Sequence, residues 1–394
     1  LPQASVPNIG KDYGAAALRN CGDHSDSDSP TDDQYSAAEI VFMKVRVCSE
    51  SFIEWLGLRL GLVPIPLFET HITTTLARAV MAGVELGIFE CLESAPLSAS
   101  DVALQCETDA DATALLLNAL AASGYLALSH QEYALTFQSR KWLLRSSKRS
   151  VRDKILLQAI EWEWPSHLEE FVRSGKPLDF HAAMSDRARD LYHRSMRAIA
   201  GIGGREVAWR TPVPRGARQM LDLGGSHGHF AASICRRHPY LEARVLDFPN
   251  AIEKAAPLLR AEGMGDRIVH WAGDVNDTDL GTGQFDLVFM SNLAHHLDQE
   301  QNRLLCVRVA RALRPGGYFV IQEPVRASSP TEAGQTGTLL GLYFALQSKA
   351  NVTSWSIADM KSWQLGAGLT PRLPVKLRTA PGWVQQSARL QDHG

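Results

Sequence analysis

Gln219-Met-Leu-Asp-Leu-Gly-Gly-Ser-His-Gly-His-Phe230 is the stretch that decides the fold. The apolar residues before Gly224 suit a buried parallel strand, and Phe230 and Ile234 resume at helical spacing, so the segment reads as strand, tight turn, helix. Gly224, Gly225 and Gly228 predict a loop whose backbone approaches a ligand closely, because a Cβ there would fill the ligand's space. Asp222, at the strand's carboxyl end, adds an acceptor beside that turn, where open α/β sheets bind their ligands.

The loop discriminates between ligands. A dinucleotide pattern fits poorly, since Ser226 and His229 fall where its second and third glycines belong. The looser pattern acidic-x-Gly-x-Gly-x-Gly, read as Asp222, Gly224, Ser226 and Gly228, misses one place and keeps the acid. Such an acid suits S-adenosylmethionine, whose methionyl end carries an ammonium and a sulfonium and which has no pyrophosphate for a helix N-terminus to hold. Ala243 to Asp247 is a second short strand, ending in an acid 25 residues after Asp222, the place from which a carboxylate accepts ribose hydroxyls. Phe248-Pro249 starts a helix through Leu259. A third strand, Arg267 to Trp271, leads into Gly273-Asp274-Val275, which is expected to bring Asp274 near the adenine amino group. Phe285 to Met290 and Tyr318 to Glu323 are the fourth and fifth strands; between them Asp298 with Gln301 predicts a capping box, and Pro315-Gly316-Gly317 a helix stop. Alternating strands and helices predict a parallel, doubly wound α/β sheet of Rossmann-like type.

Leu-Asp-Leu-Gly-Gly-Ser-His-Gly, Val-Leu-Asp-Phe-Pro, Gly-Asp-Val, Ala-His-His-Leu and Leu-Arg-Pro-Gly-Gly-Tyr follow one another in order. Together they resemble the class I S-adenosylmethionine-dependent small-molecule O-methyltransferases, of the plant caffeate and isoflavone type and their bacterial polyketide-tailoring relatives. The resemblance covers roughly residues 65 to 375. It implies an N-terminal winged-helix dimerisation domain, S-adenosylmethionine as cofactor with S-adenosylhomocysteine as product, no metal, and a homodimer formed through the N-terminal domain.

Composition sets limits on function. With 394 residues, 45% hydrophobic and 21% charged, the chain has room for two substantial cores, and a net charge of −3 gives no bulk attraction to nucleic acid or membrane. Six cysteines lie scattered with no Cys-x-x-Cys pair, which argues against a zinc site or disulfide framework and for a reducing, cytoplasmic setting. No apolar run reaches the roughly 18 to 20 residues of a membrane span. The opening Leu1 in place of Met predicts residues upstream.

Four regions are expected. Residues 1–34, rich in Ser and Asp, read as a disordered tail, and 35–150 as a helical extension and winged-helix domain. A helical link, 151–210, is expected to contribute to the acceptor pocket, and 211–394 to form the catalytic domain. Within the second region, helical patterns run from Gln34 to Leu62, Pro66 to Leu92 and Asp111 to Ser123, with a turn and N-cap at Pro96 to Asp101, before a hairpin of Tyr125–Leu128 and Tyr133–Thr136. A winged helix also raises DNA binding, yet residues 107–139 contain no Arg or Lys to meet phosphates.

The chemistry turns on Ala294-His295-His296-Leu297, beyond the fourth strand. Methyl transfer from a sulfonium needs chiefly in-line alignment in a dry pocket, and a phenol gains from a base with a pKa of about 6.5, such as histidine. The resemblance implies a His base held by a carboxylate at the end of strand five, a spacing that selects His295 and Glu323, 28 residues apart. His296 and Leu297 stand where the family has Asp and Trp, so His296 remains an alternative base, and a second helper acid has no clear counterpart, Glu332 lying in an expected polar loop. The cofactor is expected on Asp222, Gly224, Gly225, Gly228, Asp247, Phe248, Gly273, Asp274, Val275 and Asn292. The acceptor is expected on Trp164, Tyr192 and Met196, where core packing is the commoner reading, and on Tyr343 and Phe344 in the helical run 339–346. Two rival functions stay open: a drifted relative that methylates carbon or nitrogen or keeps the cofactor without transfer, and a non-catalytic binding or regulatory protein working through the winged helix.

Overall fold

The computed structural model describes residues 45–178, 184–325, 330–347 and 355–391, with no side-chain placement for 330–333. The chain divides into Leu1–Val41 and Phe42–Gly394, and everything described belongs to the second unit. The tail 1–34, Cys21 and Phe180 lie outside the described residues.

The N-terminal part is helical, with a small three-stranded sheet. Helix α1 (Phe52–Arg59) starts at a capping box between Ser51 and Glu54, so the continuous helix expected from Gln34 is not formed over residues 45–51. The pattern expected as one helix from Pro66 to Leu92 runs without a gap through Ile65–Leu67, a π-turn at Phe68–Ile72 and helix α2 (Thr73–Glu85), then breaks before a short helix Ile88–Cys91. Gly87, at φ 76°, makes the break that a helical periodicity does not reveal. Helices α3 (Ala99–Cys106) and α4 (Ala110–Ala122) are capped by Ser98 and Asp109. Strand β1 (Leu97–Ser98) pairs with the second arm of the hairpin β2 (Leu126–Ser129) and β3 (Glu132–Leu135). His130 and Gln131, both at positive φ, make its two-residue turn. Val84, Phe89, Leu117, Leu120, Leu126 and Leu135 fill the core of this winged helix.

Helix α5 (Arg152–Ile160) and the long helix α6 (Asp186–Arg210) join it to the main sheet. Strands β4 (Gln219–Leu223), β5 (Glu242–Asp247), β6 (Ile268–Ala272), β7 (Phe285–Ser291) and β8 (Leu313–Pro324) are mutually parallel in the order β8-β7-β4-β5-β6. The chain winds outward from β4 through β5 and β6, then returns to the other side for β7 and β8, so a topological switch falls between β4 and β7. Short β9 (Thr370–Pro371) and β10 (Val375–Lys376) and the longer β11 (Trp383–Arg389) finish that side as an antiparallel edge. Helices α7 (His229–Arg237), α8 (Pro249–Ala261) and α9 (Gln299–Ala312) are the crossovers. Apolar clusters lie on both faces, one around Leu221, Val288, Leu305 and Phe319, the other around Met220, Ile234, Val245 and Phe289.

Two boundaries differ from expectation. Helix α9 ends at Ala312, before the Pro-Gly-Gly stop, because Leu313 already pairs with Phe285 across a register shift. The polar loop expected around Glu332 is helical from Pro330: helix α10 (Pro330–Gln347), broken at Gly334, places Glu332 on a helix. Helix α11 (Ile357–Gly366) follows, capped by Ser356.

Candidate active site

The glycine loop occupies the switch point, between the ends of β4 and α7. Its glycines are required by packing. A Cβ on Gly225 would stand 2.5 Å from the Asp222 carboxyl carbon and 2.8 Å from Val245, and one on Gly224 would meet Leu293 at 3.1 Å. Gly225 thus also makes room for Asp222 itself, beside the expected room for a ligand.

Asp222 is buried and Asp247 partly so, and neither forms an ion pair among the described residues. Burial, with the Asp247 charge adding to it and the Ala231 N–H opposing, pushes the Asp222 carboxyl up to about 8. Burial likewise raises Asp247, against hydrogen bonds from the Phe248 and Ser226 amides and the His270 charge. Those amides donate to separate oxygens of Asp247, Ser226 N–H at 2.9 Å and Phe248 N–H at 2.8 Å, which leaves acceptor capacity on each oxygen. A buried acid raised by its neighbour's charge, beside a second that keeps acceptor capacity, fits a cofactor that brings a cation and a diol.

The remaining expected cofactor residues gather along the same edge. Phe248 is half exposed at the start of α8. Gly273 N–H donates to the Asp247 carbonyl (3.0 Å), tying the two loops together. Asp274 turns its carboxylate onto Asn276, accepting from the backbone N–H (2.8 Å) and the side-chain amide (3.1 Å), and the Val275 side chain is buried in the core. Asn292, at φ 54°, accepts from Trp383 Nε1 at 2.8 Å.

Beyond β7, a short 3-10 turn, Ala294–His296, carries the two histidines. Glu323, almost wholly buried at the end of β8, accepts from Leu293 N–H (2.7 Å) and Ala294 N–H (2.6 Å) through one oxygen and holds His295 Nδ1 at 2.7 Å with the other. A carboxylate so placed fixes the Nδ1-protonated tautomer and leaves the basic lone pair on Nε2. The Ala294 carbonyl is clamped from behind by Trp355 Nε1 (2.7 Å) and Asn302 Nδ2 (3.0 Å). His296 lies against His295 with centroids 4.2 Å apart, and Glu323 bonds His295 through Nδ1.

Aromatic residues surround this turn. Phe344 is 6.1 Å from the His295 ring and 5.6 Å from Trp383, and Tyr343 adjoins Phe344 at 5.8 Å. Tyr343 donates its hydroxyl to buried Glu161, which Lys154 pairs at 2.9 Å. On α6, Tyr192 packs with Trp164, Met184 and Ala188, while Met196 stands one turn on and is partly buried. Desolvation, with the Glu161 and Asp247 charges adding, pushes the Tyr192 hydroxyl up to about 12. His193, His270, Glu161 and Trp383 carry no motif in the sequence; Ser226 in place of a glycine is the one visible signal at this loop. Cavities of about 660 and 570 Å³ lie elsewhere, lined by residues such as Trp209 and Arg378 or Pro212 and Leu373, and contain none of the loop or His295 residues.

Comparison with known proteins places this geometry. A family model for the O-methyltransferase domain matches residues 170–357, and one for the O-methyltransferase dimerisation domain matches 71–145. The 3-hydroxy-5-methyl-1-naphthoate 3-O-methyltransferase of Streptomyces sahachiroi is 26% identical over 308 residues, 74% of this chain and 88% of that protein. The L-tyrosine C(3)-methyltransferase of Streptomyces lavendulae is 23% identical over 318 residues, 77% of this chain and 86% of its own. The structure of human N-acetylserotonin methyltransferase, solved with S-adenosylmethionine, shares the fold with a TM-score of 0.73 at 19% identity, over 88% of this chain and 100% of that one. The matched domain and these relatives thus define an S-adenosylmethionine-dependent methyltransferase. More narrowly, the chain belongs to the small-molecule O-methyltransferases that carry an N-terminal dimerisation domain. Among the described residues, no cluster of side chains is arranged to hold a metal and no helix is long and apolar enough to cross a membrane.

Proposed function

We propose that the chain methylates a hydroxyl of a small aromatic or polyketide-like acceptor, with His295 as general base and Glu323 as its orienting carboxylate. The observation that carries this is the 2.7 Å contact between His295 Nδ1 and Glu323, with Phe344 beside the imidazole. When bound, S-adenosylmethionine supplies an electrophilic methyl and a neutral thioether leaving group. The acceptor oxygen forms the new C–O bond as the C–S bond breaks, and its proton passes to His295 Nε2. Trp164, Tyr192, Met196, Tyr343 and Phe344 provide apolar and aromatic walls for a flat acceptor and exclude water. On the cofactor side, Asp222 meets the cationic end, Asp247 the ribose and Asp274 the adenine edge, flanked by Gly224, Gly225, Gly228, Phe248, Gly273, Val275 and Asn292.

In this reading residues 35–150 form the pairing domain of a homodimer, 151–210 the acceptor-side link and 211–394 the catalytic domain. The free thiols Cys48, Cys91, Cys106, Cys235 and Cys306 favour a reducing cytoplasmic setting. The test is a screen of phenolic acceptors with labelled S-adenosylmethionine, wild type beside His295→Ala. The expected product carries an O-methyl ether, and the variant loses about 10²- to 10⁴-fold in kcat with little change in KM for the cofactor. A C-methylated product, as the name of the tyrosine relative suggests for that protein, would overturn the oxygen assignment. A variant with wild-type kcat would remove His295 as base.

A further inference from the structure

Ser226 stands where the loop pattern asks for glycine, and its backbone is left-handed, at φ 43°. A side chain is disfavoured in that conformation, so the surroundings must hold it. Three contacts do so. Its N–H donates to Asp247 Oδ2 at 2.9 Å, its carbonyl accepts from His270 Nε2 at 2.8 Å, and its hydroxyl is hydrogen-bonded to His193 Nδ1 at 2.8 Å. His193 is on α6, next to Tyr192 and three residues before Met196, so it belongs to the helix proposed to touch the acceptor. The far end of the loop is tied to the same helix: His229 Nδ1 bonds Glu262 at 2.9 Å, and Glu262 pairs Arg197 of α6 at 2.5 Å.

We propose that the His193–Ser226 hydrogen bond is a latch in which His193, a positioning residue, holds the cofactor loop in its left-handed turn. The Ser226 amide thereby orients Asp247, and the acceptor helix is coupled to cofactor affinity. This rests on reading Asp247 as the ribose carboxylate. The Ser226 N–H holds Asp247 Oδ2, and a ribose bound there would share that oxygen, so loss of the hydroxyl contact is felt at the cofactor although neither His193 nor the Ser226 hydroxyl need touch it.

The experiment is calorimetric titration with S-adenosylhomocysteine of wild type, Asp247→Ala, His193→Phe, Ser226→Ala and the His193→Phe/Ser226→Ala double variant. Binding by wild type that Asp247→Ala abolishes supports the ribose assignment independently of the latch. Each single latch variant is expected to weaken binding about three- to tenfold, as for a lost hydrogen bond, and the double variant no further. His193→Asn, whose amide falls where Nδ1 lay, is expected to restore affinity to within about twofold of wild type. A merely structural role would give losses that multiply in the double variant and track the thermal midpoint. That result, or single variants that bind like wild type while Asp247→Ala does not bind, overturns the latch. Should His193→Phe fail to fold, His193→Ala completes the same cycle.

Discussion

Single side chains set how this site responds to pH. Asp222 holds its proton in the ligand-free chain because burial and the Asp247 charge push its carboxyl from 3.8 to about 8. An acid raised on folding makes the folded state the better proton binder between those values, so the ligand-free protein loses stability as pH rises through that window. A cationic cofactor needs the ionised form and must expel the proton. Affinity for S-adenosylmethionine is therefore expected to climb between about pH 6 and pH 7.5, with proton release detected by calorimetry in buffers of different ionisation heat. Asp222→Asn should flatten that slope and bind weakly, and a slope unchanged by this substitution would mean that another group titrates. Glu323 acts differently, through geometry. It already accepts two backbone N–H groups and one imidazole N–H, so Glu323→Gln must turn an amide donor toward one of them. Facing His295 Nδ1, that donor selects the other tautomer and takes the lone pair from Nε2. A fall of about 10²- to 10⁴-fold in kcat at nearly constant cofactor KM is expected, and steady-state kinetics of the purified variant check it.

At the level of elements, helix α6 and the loop before α7 form one mechanical unit. Glu262, just after α8, accepts from His229 and is paired by Arg236 at 2.7 Å and Arg197 at 2.5 Å. Burial alone would raise its carboxyl; hydrogen bonds from His229 and Arg236 and the Arg197 charge outweigh it and hold the group down to about 2. An acid depressed on folding stabilises above its ordinary value of 4.5, and that contribution fades as pH falls toward 2. Glu262→Gln is expected to cost about 1–3 kcal/mol at pH 7 and much less near pH 3, as read from urea unfolding at both. His227 and His229 are bulky neighbours of the glycine loop. His229 is spent on Glu262, and His227 is buried and accepts its neighbour's N–H at 3.1 Å; burial, with His229 and Arg197 beside it, holds His227 down to about 3, so it stays neutral. What was legible was whatever local pattern encodes: β4 through β8, the Asp298–Gln301 capping box and the β2–β3 hairpin all follow from periodicity and turn chemistry. The His295–Glu323 pair was legible through family spacing. What was not legible depends on distant partners. Nothing near Ser226 announces His193, 33 residues away, and nothing near Tyr343 announces Glu161, 182 residues away. Helical periodicity also runs through Gly87, although the chain turns there.

For the whole molecule, the unused surface lies at the N-terminal end. Phe52 is 73% exposed, Ile53 82%, Leu60 61% and Leu62 74%, with Trp55, Leu56, Leu67 and Ile72 also uncovered, all within a stretch of about twenty residues. Single exposed apolar residues need no explanation, but so dense a run, immediately before the matched dimerisation domain, marks a surface meant for burial. A second copy of the chain supplies the same apolar face and makes the contact closed and two-fold. Each large side chain covered in this way contributes about 1.5–3 kcal/mol, so two charges inserted into the patch should suffice to separate the subunits. Ile53→Glu with Leu60→Glu is expected to sediment as a monomer at micromolar concentration, where wild type sediments as a dimer. The wild-type thermal midpoint should rise with protein concentration, and that dependence should vanish in the variant. Leu373→Glu is the control: Leu373 is 85% exposed but sits between β9 and β10 at the sheet edge, far along the chain from this patch, and its substitution should leave the dimer intact. A dimer that survives both N-terminal charges would place the pairing surface elsewhere on the winged helix.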